Sequence, residues 1–208
     1  MARRRIIPIG NADLLRDRLL SAVAEVLARD GYLAATPDRV ARAAGVPRAA
    51  LFRQFRGLED LVAEYGNSEA HWPGLDELAG GDLAGFRSLP LARQLAVVYR
   101  GYGEALRRRP RTVQILSWEA RQRNRLTRIL ENVRVRRSLE IFEQGAADFP
   151  EDVDMGAVVA VAAAAMLHLA VRTVTCGHFG GLDLDADLGW QRVAATLQLM
   201  FERTLERR

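Results

Sequence analysis

Lysine is absent from these 208 residues, so all 30 basic side chains are arginine. A single cysteine, Cys176, excludes an internal disulfide or a multi-thiolate metal site and fits a reducing compartment. Histidine occurs three times, at 71, 168 and 178, never at a His-x-x-x-His spacing or beside a cysteine or carboxylate at ligand spacing. Ser68, Ser88, Ser117 and Ser138 lack the context of a nucleophile elbow, and residues 177–181 do not match a phosphate-cradling loop. We therefore expect no catalytic residue, no metal and no cofactor, and do not read the chain as an enzyme. The longest apolar run, 157–171, contains His168 and at 15 residues falls short of the ~20 that span a bilayer. Arg3-Arg4-Arg5 leads only into Ile6-Ile7-Pro8-Ile9, too short a stretch for a signal peptide. These shortages point to a cytoplasmic protein with no membrane partner.

What is present is a helical pattern with a lopsided charge. Residues 1–57 hold 11 arginines against 5 acids, a balance of +6, whereas residues 58–208 hold 19 against 21, a balance of −2. A basic end on a near-neutral body suits a polyanionic partner. Leu14, Leu15, Leu19, Val23, Val26 and Leu27 recur at helical spacing until Asp30-Gly31. Thr36-Pro37 supplies an N-cap and a first-turn proline for a short second helix that ends at Gly45. Pro47 opens a third helix, closed by Arg56-Gly57, and a fourth runs from Leu58 to about Tyr65 or His71. Residues 72–90, rich in glycine and proline, read as a broken connector. Helices are predicted at about 90–108, 110–121, 122–145, 153–176 and 187–206. The expected fold is all-α, a three-helix head over 1–57 followed by a larger helical domain over 58–208, with the fourth helix as connector.

Two short helices joined by a glycine turn are the plan of a helix-turn-helix, whose second helix enters the major groove. Val40, Ala44, Val46 and Leu51 supply the inner face, small Ala41 lets the helices approach, and Gly45 suits the positive φ of the turn. Arg39, Arg42, Arg48, Arg53, Arg56 and Gln54 stand outward, where phosphates and base edges would be met. Any one of them, taken alone, is equally a solvated surface residue.

Gly31-Tyr32, Thr36, the run 40–46, the run 51–55 and Leu58-Glu59-Asp60-Leu61 are together similar to the N-terminal signature of TetR-family regulators. The resemblance covers about residues 11–62. It implies a homodimer on a palindromic operator of double-stranded DNA and repression relieved by a small-molecule effector bound in the C-terminal helices. By the same resemblance, Thr36 caps the second helix and touches a phosphate, and Arg48 and Ala49 lie at the groove-facing start of the third. Phe52 occupies a position usually held by tyrosine, and Gln54 that of a phosphate-binding histidine. Three departures stand out: Pro47 replaces a Ser or Thr cap, Phe52 lacks the hydroxyl, and Leu58 stands where a phosphate-binding lysine is common. Arg3, Arg4 and Arg5 are either a minor-groove arm or a basic tail. The competing reading is a helical ligand carrier or adaptor that does not bind DNA.

In the body, Tyr99, Tyr102, Trp118, Phe142, Met166 and His168 are the candidates for lining a partly apolar effector pocket, with plain core packing as the alternative for each. Ala160, Ala164 and His168 repeat every four residues as a ridge with two small members, while Trp190, Val193, Leu197, Met200 or Phe201, and Leu205 form a bulky stripe. The family resemblance makes these last two helices the dimer interface, with Ala160, Ala164, Trp190, Leu197 and Phe201 as its residues. The same stripes could instead bury within one subunit.

Overall fold

The computed structural model describes residues 9–145 and 149–205, so Arg3, Arg4 and Arg5 lie outside the described residues. In chain order the elements are α1 (Ile9–Asp30), α2 (Pro37–Ala43), α3 (Arg48–Gln54), α4 (Leu58–Asn67), α5 (Leu75–Leu78) and α6 (Leu83–Arg87). They continue as α7 (Leu91–Arg107), α8 (Pro110–Glu119), α9 (Arg125–Gly145), α10 (Met155–Arg172), β1 (His178–Phe179), β2 (Leu182–Asp183) and α11 (Asp187–Leu205). Apart from that two-stranded hairpin, the all-helical expectation holds for the described residues. The connector around 72–90 is more ordered than its glycines suggest, because α5 and α6 each form a single helical turn there.

Two compact units divide the chain. The first contains the described residues up to His71 together with Trp118–Arg134. Its core is the inner stripe of α1, with Leu19, Val23, Val26 and Leu27 at 0% exposure, packed on Val40, Leu51, Leu61 and Val62. Each such side chain removed from water contributes roughly 1.5–3 kcal/mol. Leu14, by contrast, is exposed on the other side of α1. The start of α9 completes this core with Leu126, Leu130 and Val133, and Leu130 lies so near Gly66 that a Cβ there would stand 2.7 Å from its methyl group.

The second unit, Trp72–Ser117 with the described residues from Val135 onward, is organised around α7. The helices α5, α6, α10 and α11 all pack on it. Gly101 permits the closest of these approaches, since a Cβ there would sit 2.4 Å from the Leu78 carbonyl oxygen. Trp72, Tyr102, Leu106, Met166, Trp190 and Phe201 form the centre of its core. The hairpin pairs His178 with Asp183 and Phe179 with Leu182 across Gly180-Gly181, both at positive φ as a tight turn of this hand requires. Against the expectation from the apolar run, α10 is long and apolar enough to cross a membrane by length and composition, with 28% of it buried. Met155, Ala162, Met166, Leu169 and Ala170 face the core, while Ala160, Val161, Ala164 and Ala165 are exposed.

Candidate nucleic-acid interface

The pair α2 and α3 is held by backbone and side-chain constraints that the residue types explain. Thr36, in extended conformation, accepts a hydrogen bond on its hydroxyl from the Arg39 backbone N–H at 3.3 Å, and Pro37 fills the first helical position. At the other end Ala44 closes α2 and Gly45 turns the chain at φ +63°. A constraint that the sequence pattern does not reveal comes from α1: the Arg18 guanidinium donates to the carbonyl oxygens of Ala44 at 2.6 Å and Gly45 at 3.3 Å. A cation at a helix C-terminus satisfies orphan carbonyls and complements the helix dipole. Pro47, lacking a hydroxyl, offers α3 no side-chain cap, and the first turn relies on the Ala50 N–H donating to the Pro47 carbonyl at 2.8 Å.

The two helices divide cleanly into an inner and an outer face. Val40, Ala41, Ala50 and Leu51 are buried. Arg39, Arg42, Pro47, Arg48, Ala49, Phe52, Arg53 and Arg56 are exposed together with Thr36, and Gln54 is half-buried. Phe52 is 46% exposed, an aromatic ring kept on the outside with the Arg48 guanidinium 5.4 Å from its centre. Every candidate DNA-contact residue except half-buried Gln54 therefore reaches solvent.

The arginines differ in how far their charge is already engaged. Arg39 pairs with Asp30 at 3.1 Å, Arg48 with Asp38 at 3.4 Å and Arg56 with Asp60 at 2.8 Å. The hydrogen bond from Arg56 holds the Asp60 carboxyl below its usual range, with the Arg56 backbone N–H adding to the effect. Arg42 and Arg53 have no carboxylate partner among the described residues. An incoming phosphate would meet these two directly and would have to compete with a carboxylate for the other three.

The surroundings of this motif include a segment from much later in the chain. The Trp118 indole N–H donates to the Ala28 carbonyl at 2.9 Å, and Gln122 Oε1 accepts from the backbone N–H groups of Tyr32 at 2.8 Å and Leu33 at 3.1 Å. The Tyr32 hydroxyl donates to Glu119 at 2.8 Å, and Glu119 in turn pairs with Arg134 at 2.8 Å. Burial, then the neighbouring Glu119 charge, pushes the Tyr32 phenol well above its usual value, so it remains a neutral donor. Gly31, at φ +76°, ends α1 directly beneath the Trp118 ring. Trp118, expected among the effector-pocket residues, instead braces the first unit, because its polar N–H finds a carbonyl in the last turn of α1.

Of the remaining pocket candidates, Tyr99, Tyr102 and Phe142 converge on an apolar cavity of about 60 Å³ in the second unit, shared with Trp72, Val159 and Ala163. Tyr99 donates its hydroxyl to the Val159 carbonyl at 2.8 Å, and burial pushes its phenol above the usual value. Met166 lines a separate cleft of about 490 Å³. His168 reaches neither: it is exposed, with its ring 5.3 Å from that of Phe179.

For the dimer candidates, the structure separates the two helices. Ala160 and Ala164 are exposed, but Trp190, Leu197 and Phe201 are only 7%, 8% and 3% exposed within the chain itself. The chain's own α7 covers that stripe, and Trp190 also donates its indole N–H to the Leu184 carbonyl at 2.8 Å. The large apolar side chains that α11 leaves open are Leu188, Leu199 and Met200, at 66%, 53% and 52%. Linear spacing also hid one group of potential metal ligands: the hairpin brings His178, Asp183 and Asp185 within 4.8 Å of one another, all exposed.

Residues 19–65 match the model of the TetR N-terminal domain of bacterial tetR-family regulatory proteins. No curated protein matches the chain. Among solved structures, the fatty acid degradation regulator FadR from Bacillus halodurans aligns at 17% identity and a TM-score of 0.63, over 93% of this chain and 97% of its own. FadR from Bacillus subtilis, in complex with stearoyl-CoA, aligns at 15% identity and a TM-score of 0.64, over 89% and 96%. A TetR-like transcriptional regulator from Rhodococcus sp. RHA1 aligns at 17% identity and 0.62, over 97% and 100%. At such identities the likeness is one of fold.

Proposed function

We propose that the chain is a member of the TetR family of bacterial regulatory proteins, a reading supported by the match of residues 19–65 to that family's N-terminal domain. It is a cytoplasmic DNA-binding transcriptional regulator, a repressor that leaves its operator when a partly apolar small molecule occupies the body. The observation that carries this reading is the division of α2 and α3, with Val40, Ala41, Ala50 and Leu51 inside and Arg42, Arg48, Ala49, Phe52 and Arg53 outside. Arg42 and Arg53 supply unpaired charge, and Arg48 with Phe52 presents a cation and an apolar ring at the start of the recognition helix. The effector site in this reading lies beside Tyr99, Tyr102 and Phe142, whose cavity of about 60 Å³ has room for one small apolar group as it stands. Its lining supports an apolar ligand part, since Tyr99 already spends its hydroxyl on Val159.

The partner across the exposed face of α10 and α11 is a second copy. Ala160, Val161 and Ala164 on one helix and Leu188, Leu199 and Met200 on the other present small and large apolar side chains for interdigitation. Two-fold symmetry of the protein then implies a palindromic operator.

A mobility-shift titration against the DNA upstream of the protein's own gene tests the reading. Wild type is expected to shift it with an affinity that falls steeply as salt rises, because each phosphate neutralised releases counterions. Arg53→Ala should weaken operator and random DNA alike, whereas Arg48→Ala should lose about 1–3 kcal/mol more on the operator than on random DNA. A protein that shifts no DNA would be a ligand-binding or adaptor protein instead, and two variants that bind as wild type does would mean that the outer face of α2 and α3 is not the DNA-contacting one.

A further inference from the structure

Residues 120–128 hold four arginines, Arg121, Arg123, Arg125 and Arg128, and no acid. They make up the turn between α8 and α9 and the first turn of α9, a stretch that belongs to the first unit although it lies far along the chain from α2 and α3. Leu126, Thr127 and Leu130 are buried in that unit, so Arg125 and Arg128 emerge on the solvent side of the helix. They stand one turn apart there and present two cations side by side.

The stretch is firmly held. Asn124 caps α9, its Oδ1 accepting from the N–H groups of Leu126 at 2.9 Å and Thr127 at 3.1 Å, while the Asn124 N–H donates to the Thr127 hydroxyl at 2.9 Å. Gln122 ties the turn to the backbone of Tyr32 and Leu33, at the approach to α2. Arg121 lies over the Trp118 ring, 5.3 Å from its centre. The arginines are thus mounted on ordered backbone that has little freedom left to lose on binding.

This row borders the outer face of α2 and α3. A cleft of about 850 Å³ is edged on one side by Ala35 and by Arg56, Gly57 and Leu58 of the α3–α4 turn, and on the other by Asn124 and Arg125. The carboxylates at its rim are already engaged, Asp60 by Arg56 at 2.8 Å and Glu59 by Arg125 at 2.9 Å. Arg123 pairs with Glu131 at 2.8 Å, and Arg128 makes no ion pair among the described residues. These pairs lie at the surface, where an ion pair contributes little, so an incoming phosphate displaces a carboxylate at small cost.

We propose that the α8–α9 turn is a second phosphate-gripping element of the head, in which Arg125 and Arg128, with Arg123 beside them, meet the DNA backbone next to the stretch met by α2 and α3. The proposal rests on the reading of α2 and α3 as the DNA-binding pair and adds a surface to it. Continuity with Arg56 and matching charge pick out the occupant, since a duplex lying on the outer face of α2 and α3 extends past it with one negative charge per about 1.7 Å. Contacts of this kind go to phosphate and carry no sequence information.

Mobility-shift titrations of the full chain over a range of salt, with the DNA upstream of its own gene and with a scrambled duplex of the same length, test this. In Arg125→Gln/Arg128→Gln, its fold checked by circular dichroism, the slope of log affinity against log salt should be shallower by about 2 than in wild type, and affinity should fall alike on both duplexes. Hydroxyl-radical footprints should show the double variant losing protection at backbone positions that Arg53→Ala keeps. Glu59→Gln, which frees Arg125, should tighten binding to both duplexes and gain nothing in the double variant. An unchanged salt slope, a loss confined to the upstream DNA, loss of protection at the same positions as in Arg53→Ala, or no gain from Glu59→Gln would overturn the proposal. If Arg53→Ala weakens binding while the double variant binds as wild type does, this inference fails alone; wild type that shifts neither duplex refutes the regulator reading itself, and this surface with it.

Discussion

Replacing Gly31 with alanine perturbs two things at once, and their sizes can be worked from the geometry. Gly31 ends α1 at φ +76° with its N–H donating to the Leu27 carbonyl at 3.1 Å. An L-residue held in that left-handed region costs about 1–2 kcal/mol. The added Cβ would also stand 2.9 Å from Trp118 Cδ2 and 3.0 Å from the Gln122 side-chain amide. Neither neighbour can retreat without loss, because Trp118 is tied to the Ala28 carbonyl and Gln122 to the N–H groups of Tyr32 and Leu33. Overpacking of this kind adds about 1–3 kcal/mol, for a total of roughly 2–5 kcal/mol. Gly80 supplies the control: it has φ +75° and no atom within 4 Å of its would-be Cβ, so Gly80→Ala isolates the backbone cost of about 1–2 kcal/mol. Urea unfolding followed by circular dichroism reads both. If the two variants lose the same stability to within about 0.5 kcal/mol, the Trp118 brace is not rigid and the reasoning fails.

Arg18→Ala should destabilise by about 1–2 kcal/mol, because the Ala44 and Gly45 carbonyls lose a charged donor that is only part-buried; thermal melts measure the loss, and DNA affinity should fall with it. Ala164 is exposed in the single chain, so Ala164→Glu should leave the helices intact and, on the proposed second-copy interface, convert the dimer to a monomer at a cost of several kcal/mol, read by sedimentation velocity; a helical dimer would refute that interface. Hydrogen bonds from Arg109, then Arg108, hold the Glu77 carboxyl below its usual range. A depressed carboxylate contributes its stability above its unfolded value of about 4.3 and loses it as the pH falls through the lower folded value. Thermal melts of wild type and Glu77→Gln should therefore differ most near neutrality and converge in acid; a constant gap would refute the linkage.

The head was legible because its signals are local. Thr36-Pro37, Gly45 and Pro47 mark helix ends by their own backbone chemistry, and the inner residues Val40, Ala41, Ala50 and Leu51 follow from periodicity. What covers an apolar stripe is not local. Trp190, Leu197 and Phe201 read equally well as a dimer seam or as a seam against the same chain, and they pack inside the chain, while the side chains left open, Leu188 and Leu199, sit on the opposite side of α11. Trp118 misled for the same reason, since spacing gives a face and not a neighbour. His178 and Asp183 meet through hairpin register, which two-residue strands encode too weakly to read.

The chain leaves the first unit after His71 and returns to it at Trp118. Cutting at the end of α4 would therefore not release a finished head: Leu126, Leu130 and Val133 would be gone from its core, and Tyr32 and Gly31 would lose Glu119, Trp118 and Gln122. A swap of DNA specificity between proteins of this shape cannot be made at a single crossover. Two sequence-distant pieces must travel together, and recombination within the intervening stretch separates α2 and α3 from the segment that completes the core of their unit. Heads of this construction would diversify by point substitution on the outer face of α2 and α3 more readily than by domain shuffling.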